Sequence, residues 1–258
     1  MPIPLAAAGL ADHLRHVQAA TGCLFRASWM HLRESPVQHS LTILNIQKVT
    51  HNVRRYTLEK PAGYVFEPGQ ATELSIDRDG YRDRKSPFTF TSLNGWDNLE
   101  FTIKSYFDHD GVTRALWELV PGDRLILRDP WGTITYRGPG TFIAGGAGVT
   151  PFIAILRDLK EKGELAGNRL IVSNRKADDI ILREEFEAMD GLEVTWTLTD
   201  DPNAEGVLHE RIGEAFLKRH VRDISQNFYL CGPDDMVKEL RGALEGLGAS
   251  TDALTWEK

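Results

Sequence analysis

The stretch Phe142–Leu156, FIAGGAGVTPFIAIL, runs from an apolar segment through three closely spaced glycines into a second apolar segment. Thr150 can cap the amides of a helix, and Pro151 suits a first helical position. Glycines let a ligand approach the backbone, and the unpaired amides of a helix start attract an anion. The spacing is not the G-x-G-x-x-G of the usual dinucleotide fingerprint. The stretch therefore predicts a strand, a tight turn and a helix, with either a phosphate site or a turn that binds nothing.

Short apolar segments alternate with helical segments on the carboxyl side of Gly138. Strands are predicted at 141–145, 169–174, 192–198, 227–232 and 252–256, and helices at 150–163, 181–189, 209–220 and 233–248. Such a repeat indicates a parallel sheet with helices on both faces. The period of the sequence changes near Gly138, and we therefore expect a domain boundary there.

Residues 40–138 have the pattern of many short strands. Pro-Gly turn signals occur at 67–70 and 120–124. The segment 98–106, NLEFTIKSY, alternates apolar and polar residues, which is typical of a half-buried strand. A short helix is predicted at 111–120. This half of the chain is expected to form an antiparallel barrel or a sandwich.

The first 39 residues differ from the rest and are interpreted as a loosely ordered extension. The predicted organisation is therefore an extension at 1–39, a barrel domain at 40–138 and a nucleotide-binding α/β domain at 139–258. The barrel motifs begin only at Leu41, so neither cofactor is expected to need the extension.

Composition excludes several classes of protein. The formal net charge is −7, which argues against nucleic acid as the main partner. The two cysteines, Cys23 and Cys231, are too few for a disulfide framework, a four-thiolate zinc site or a cysteine-bound iron–sulfur cluster. They suit a reducing compartment, and a cytoplasmic location is expected. No apolar run is long enough for a membrane span, and no metal site is predicted.

Two further strand ends carry candidate ligand-binding residues. After the second predicted strand of the α/β part, SNRK places Ser173, Arg175 and Lys176 where a dinucleotide fold often has an acid for the NAD ribose. A hydroxyl, the amide of Asn174 and two cations would suit the 2′-phosphate of NADP better, unless the segment is only a solvated loop. After the fourth strand, YLCGP places Cys231 at the carboxyl edge of the sheet, where open α/β sheets bind ligands.

Four motifs in this order, SPFTFTSL at 86–93 and GVTRAL at 111–116 in the first half and GGAGVTP and YLCGP in the second, resemble the ferredoxin–NADP reductase family. The resemblance covers residues 40–258. It implies an antiparallel barrel that binds FAD, followed by an α/β domain that binds NADPH or NADH. It also implies an enzyme in which hydride passes from nicotinamide C4 to flavin N5, and single electrons then leave to a separate carrier such as ferredoxin, flavodoxin or a haem protein.

The resemblance also implies roles for individual residues. Thr89, near flavin N5, and Cys231, near the reacting nicotinamide carbon, are the implied catalytic residues. The implied cofactor-binding residues are Arg84, Ser86, Pro87, Phe88, Thr89, Ile103, Lys104, Gly111, Val112, Thr113, Gly146, Gly148, Val149, Thr150, Ser173, Arg175, Lys176, Cys231, Gly232 and Pro233.

Two positions depart from the family pattern. Ser86 stands where the family has an arginine that binds the flavin pyrophosphate, and Phe88 stands where it has a tyrosine. Arg84, which would share a strand face with Ser86, is the expected partial replacement. The Ser86 departure keeps one alternative open, a redox-inactive or weakly flavinated regulatory subunit that binds nucleotide. A second alternative, independent of Ser86, is the reductase component of an oxygenase or haem system.

Overall fold

The computed structural model describes residues 38–108, 110–132 and 134–256, and within these it contains strands and helices in two groups. The strands are β1 (His39–Lys48), β2 (Val53–Glu59), β3 (Ala71–Ile76), β4 (Ser86–Thr89), β5 (Asn98–Lys104), β6 (Arg124–Leu127), β7 (Gly140–Gly145), β8 (Arg169–Asn174), β9 (Glu193–Leu198), β10 (Asn227–Cys231) and β11 (Leu254–Trp256). The helices are α1 (Val112–Trp117), α2 (Thr150–Lys162), α3 (Arg183–Glu187), α4 (Glu214–His220) and α5 (Asp234–Gly246). Most of the predicted 1–39 extension, and Cys23 with it, lies outside the described residues.

The first group is a barrel, residues 39–127, rather than a sandwich. Its six strands form one antiparallel sheet in the order β4-β3-β6-β1-β2-β5. An isolated bridge between Phe90 and Phe101 links the two edges and nearly closes the sheet. Large apolar side chains, including Tyr56 and Leu58, fill the interior together with these two phenylalanines. The predicted short helix is confirmed as α1.

The prediction that β5 is half-buried is wrong. Its inward residues are buried as expected, but the outward residues Glu100 and Thr102 are also only 8% and 4% exposed. The reason is that a second layer covers this outer face, since Arg157 of α2 donates a hydrogen bond to Glu100.

The second group, the α/β half at residues 140–256, is a parallel sheet in the order β11-β10-β7-β8-β9. Alternation along β7 sends Phe142 into a core shared with α2 and α3, and Ile143 into a core shared with α4 and α5 on the other face. The predicted sheet with helices on both faces is therefore confirmed. Val53 of β2 and Ile134 also belong to the first of these two cores.

All five described helices are shorter than predicted, and two of them, α3 and α4, begin more than one residue late. Helix α4 begins at Glu214 rather than 209, after an extended Gly213. Helix α3 begins at Arg183 rather than 181, because Leu182 adopts left-handed backbone angles (φ 54°) that a helix cannot continue. None of the helices within the described ranges has the length and apolar character needed to cross a membrane.

Candidate functional site

A cleft of about 1090 Å³ opens where the barrel meets the carboxyl ends of the parallel strands. It lies beside the point where the strand order reverses, between β7 and β10, which is where open α/β sheets bind ligands. Most of the predicted site residues line it, from both halves of the chain. They are Ser86, Pro87, Phe88, Thr89, Ile103, Lys104 and Thr113 from the barrel, and Gly146, Gly148, Thr150, Ser173, Arg175, Lys176, Cys231, Gly232 and Pro233 from the α/β half.

The turn between β7 and α2 is a short 3-10 segment, Gly146–Val149, that leads directly into the helix. The predicted capping by Thr150 is wrong, because its hydroxyl donates a hydrogen bond to the carbonyl of Ala147 (3.0 Å) and no side chain caps α2. Thr150 already has helical backbone angles (φ −59°, ψ −40°), and the helical winding begins four residues earlier, at Gly146. The first amides of a helical segment have no intrahelical acceptor, and the donors for an anion therefore belong to this turn.

Two glycines of the turn are required for different reasons. A Cβ at Gly148 would lie 2.3 Å from the carbonyl oxygen of Cys231, so the turn packs directly on the end of β10. Gly146 has left-handed backbone angles (φ 53°), and a Cβ there would meet none of the described atoms within 4 Å. One glycine thus permits close packing, and the other leaves the backbone open to the cleft.

The barrel wall of the cleft presents an aromatic ring beside buried hydroxyl groups. Phe88 is half-buried against the barrel core while also lining the cleft. Thr89 and Thr102 are 9% and 4% exposed, and Ile103, which follows Thr102 in β5, is buried as well. An apolar ring with few polar groups around it suits a flat, heteroaromatic ligand.

Charges of both signs surround the end of β8. The Nη2 atom of Arg175 lies 3.1 Å from Oδ2 of Asp200, and both side chains are exposed. The amide of Lys176 donates to Oδ2 of Asp179 (3.1 Å), whose Oδ1 lies 3.7 Å from Nε2 of His51. Of the two cations that predict a 2′-phosphate site, Arg175 is thus paired with a carboxylate, whereas Lys176 meets one at its backbone amide.

A buried acceptor at the end of β8 lacks a partner. Asn174 is 7% exposed, and its Nδ2 donates to the carbonyl of Asp179 (3.0 Å), but its Oδ1 has no hydrogen-bond partner among the described residues. An unpaired buried acceptor is costly, and a hydroxyl or amino group of a ligand would satisfy it. Together with the turn, whose amides suit an anion, and the aromatic wall, these residues fit cofactors that carry both phosphates and flat rings.

Four predicted residues do not line the cleft. Arg84 donates to the carbonyl of Asp110 (3.0 Å) and lies 3.5 Å from its carboxylate, so its side chain is directed to Asp110. Gly111 and Val112 form the start of α1, whose next residue, Thr113, does reach the cleft. Val149 is fully buried in the α/β core. The roles implied for these four residues stay predictions.

Sequence reasoning missed several residues of the cleft. These are His51, Asn52, Thr102, Tyr106, Ala147, Asp179, Thr199, Asp200 and Met236. Part of the signal was present: Thr199 and Asp200 follow β9, and ligands gather at the carboxyl end of every strand near the reversal. His51 and Tyr106 carry no such signal, because the sequence around them does not indicate that their loops lie next to the α/β half.

Comparisons with known proteins agree with this architecture. The family model for the oxidoreductase NAD-binding domain matches residues 142–242. The reductase component of propane 2-monooxygenase from Rhodococcus jostii (strain RHA1) is 29% identical over 246 residues, covering 86% of this chain and 64% of that protein. The chain thus spans less than two thirds of that relative's length.

Two further proteins cover most of both chains. NADH-cytochrome b5 reductase 1 of Eremothecium gossypii is 30% identical over 232 residues, which are 80% of this chain and 78% of that protein. A ferredoxin NADP+ reductase from Neisseria gonorrhoeae, solved with bound FAD and NADP, shares the fold with a TM-score of 0.76 at 19% identity, covering 85% of this chain and 98% of that one. The chain therefore belongs to the ferredoxin–NADP reductase family of flavin-dependent NAD(P)H oxidoreductases.

Proposed function

We propose that this protein takes electrons from NAD(P)H, passes them through bound FAD and delivers them one at a time to a separate carrier protein. The observation that carries the proposal is one cleft with two unlike walls. The barrel wall offers the aromatic ring of Phe88 beside buried threonines, and the opposite wall offers the anion-binding turn Gly146–Val149. Two cofactors bound on these walls would meet between them.

On the barrel side, the chain's own residues would bind and orient FAD. Phe88 would pack against the isoalloxazine ring, and the hydroxyl of Thr89 would donate a hydrogen bond to it. Ser86 and Thr113 would offer hydroxyl groups to the pyrophosphate, because both line the cleft. Neither side chain adds a positive charge. When bound, FAD supplies the redox chemistry, since it accepts two electrons from a nicotinamide and can release them singly.

On the opposite side, the turn amides would hold the coenzyme phosphates. Gly146 keeps the backbone accessible, and the unpaired Oδ1 of Asn174 would accept a hydrogen bond from a ribose or adenine group. Cys231, which is 5% exposed, would border the nicotinamide ring. Buried residues on both walls would exclude water from the space between the rings, which protects a transferred hydride from solvent.

Coenzyme choice depends on the competition for Arg175. Its ion pair with Asp200 is exposed and is worth at most about 1 kcal/mol, so a phosphate can displace it. A charge-assisted bond to the 2′-phosphate contributes about 1.5–3 kcal/mol, but the displaced carboxylate then repels that phosphate. We therefore propose that both coenzymes react and that the preference for NADPH is modest, with Asp200 limiting it.

An anaerobic titration tests the function directly. The purified protein, reconstituted with FAD, should be yellow and should bleach when NADPH or NADH is added under argon. Phe88→Ala should retain at least tenfold less flavin, whereas Phe107→Ala, an exposed aromatic outside the cleft, should match the parent. A colourless protein that cannot be reconstituted would instead support the redox-inactive, nucleotide-binding alternative.

The identity of the electron acceptor is a separate proposal. The similarity to a propane 2-monooxygenase reductase component favours an oxygenase system as the second candidate beside ferredoxin, flavodoxin or a haem protein. Reduced protein mixed anaerobically with each class of carrier would distinguish them, because only the true acceptor should be reduced at a rate that saturates with its concentration. We also propose a cytoplasmic location, on the ground of the low cysteine content.

A further inference from the structure

Four charged side chains form a buried network between the barrel and the α/β half, and none of them lines the cleft. Each half contributes one arginine and one glutamate: Arg55 and Glu100 come from strands β2 and β5, and Arg157 and Glu185 come from helices α2 and α3. The Arg157 and Glu100 side chains are only 8% and 10% exposed. The formal charges cancel, so the network is neutral overall.

Arg157 is the centre of the network. Its Nη1 donates to Oε1 of Glu100 (2.7 Å) and to the carbonyl of Thr91 (2.5 Å), both in the barrel. Its Nε and Nη2 donate to the two carboxylate oxygens of Glu185 (2.5 and 2.9 Å), within the α/β half. One guanidinium therefore bonds both halves in a fixed plane, a geometry that no other charged side chain supplies.

A second, looser link crosses the same boundary. Arg55 of the barrel lies 3.8 Å from Oε2 of Glu185 and 3.7 Å from Oε2 of Glu100. Each carboxylate thus meets an arginine from each half. Sliding the halves past each other would therefore separate opposite charges in a buried place.

Adhesion alone does not explain such a network. Apolar side chains of similar volume often serve a buried interface as well or better, because burying charges is costly. Directional, charge-assisted hydrogen bonds do something that apolar contacts do not: they fix distance and orientation. The network is therefore suited to setting the relative position of the two walls of the cleft.

Both ends of the network lead to the cleft. Arg157 is seven residues after Thr150, so both project from the same face of α2, about 10 Å apart along its axis. In the barrel, the hydroxyl of Thr91 donates to Oε1 of Glu100 (2.8 Å) and lies 3.3 Å from the hydroxyl of Thr102. Thr102 and Thr150 line opposite walls of the cleft.

We infer that Arg157 is a positioning residue for electron transfer: through its bonds to Glu100, Thr91 and Glu185 it holds the coenzyme wall at a fixed distance from the flavin wall. The inference rests on the proposed function. Because FAD and coenzyme would each be held mainly by one wall, loss of Arg157 should change their separate affinities little. It should change how the two rings meet, and a displacement of about 1 Å can cost about a hundredfold in rate.

The test compares Arg157→Gln and Arg157→Lys with Lys162→Met, which removes an exposed cation of the same helix whose ion pair is with Asp158, four residues away on that helix. Flavin content and thermal unfolding report the fold. Calorimetry with a redox-inactive tetrahydro-nicotinamide coenzyme gives its Kd, and the long-wavelength absorbance of that complex reports stacking of the two rings. Anaerobic stopped-flow mixing at saturating NAD(P)H gives the rate of bleaching per bound flavin.

We expect Arg157→Gln to lower the limiting rate at least tenfold and to remove most of the stacking absorbance, while the Kd changes less than threefold. Arg157→Lys keeps the charge but not the planar fork, and should fall between Gln and parent. Lys162→Met should match the parent. If Arg157→Gln does not fold, Arg157→Lys and Glu185→Gln carry the same measurements.

Two results would overturn the inference. The first is a parent-like rate per bound flavin and a parent-like absorbance in the Arg157 variants, even if these unfold at lower temperature, since that is a purely structural role. The second is a loss of rate explained entirely by a weaker Kd. A parent protein that neither coenzyme bleaches would refute the proposed function itself, and the inference with it, which keeps the two failures distinct.

Discussion

One added methyl group at Gly148 would test how tightly the coenzyme turn packs against β10. An ideal Cβ there would lie 2.3 Å from the carbonyl oxygen of Cys231, 2.5 Å from its carbon and 2.6 Å from the amide nitrogen of Gly232. The φ angle of Gly148 lies outside the left-handed region, so alanine meets no torsional strain. The whole effect of Gly148→Ala is therefore steric, and the obstacle is backbone rather than a flexible side chain.

The size of the effect follows from what can move. Overpacking a well-packed site usually costs about 1–3 kcal/mol. Both partners here are anchored, one at the start of α2 and the other at the end of β10, so we expect the upper part of that range. For a chain of this length each kcal/mol lowers Tm by about 2–4 °C, which predicts a decrease of about 5–10 °C. The displaced turn should also bind the coenzyme several-fold more weakly.

The assay is thermal unfolding followed by circular dichroism, with coenzyme Kd measured by calorimetry well below Tm. Gly242→Ala is the matched control, because Gly242 lies inside α5 and a Cβ there would meet nothing within 4 Å among the described residues. Alanine is more favourable than glycine in a helix by about 0.5–1 kcal/mol, so this variant should unfold at a higher temperature than the parent. The close packing of the turn on the strand is refuted if the Tm of Gly148→Ala differs from that of the parent by no more than about 1 °C, which is comparable to the error of measurement, and if the variant binds coenzyme equally well.

Four other predictions concern the cofactors, the charges and the beginning of the chain. Ser86→Arg should tighten FAD binding about ten- to hundredfold in a flavin-fluorescence titration, because it adds one charge-assisted contact, and an unchanged Kd would contradict the role of this position. Asp200→Asn should release Arg175 and remove a repulsion of about 1 kcal/mol. The ratio of kcat/KM for NADPH over NADH should therefore rise about three- to tenfold, whereas an unchanged or lower ratio would argue against the competition for Arg175. Burial alone would raise the pKa of Glu185, but hydrogen bonds from Arg157 and its charge hold that pKa below its usual value. The stabilisation that ionised Glu185 gives is therefore full above about pH 4.3 and is lost as pH falls further. In urea unfolding, Glu185→Gln should be less stable than the parent at pH 7 by a margin that shrinks in acid, and a margin independent of pH would count against this ion pair. Removal of residues 1–38 should leave flavin content and NADPH oxidation intact, and an insoluble or colourless product would show the opposite.

Local sequence patterns were sufficient to predict the bounds of a strand that lies between two others in the parallel sheet. The bounds predicted for β8, 169–174, are those of the structure, because an apolar run between a helix and a polar segment has few other solutions in a parallel sheet. The turn after β7 and the residues at the carboxyl ends of β8 and β10 were found for the same reason. In the sequence they mark where strands stop, and topology brings those ends together.

Long-range partners account for most of what the sequence did not reveal. Alternation along β5 assigns Glu100 to solvent, but in the fold Arg157, 57 residues later, bonds to its carboxylate together with the hydroxyl of Thr91, and Arg55 lies nearby. Arg175 and Lys176 indicate a phosphate site when considered alone, yet Asp200, 25 residues on, pairs with Arg175. The chemistry of a charged residue is evident from the sequence, but its partner is determined by the packing of the whole fold.

The core that Val53 and Ile134 share with the α/β half has a consequence for how this protein unfolds. Separate modules with their own cores can melt one after the other, whereas residues of one half that are buried in the core of the other couple the two transitions. We expect one cooperative urea transition with an m-value that reflects the whole surface of residues 38–256, rather than two smaller ones. By the same reasoning, either half expressed alone would expose an apolar face and would be prone to aggregate.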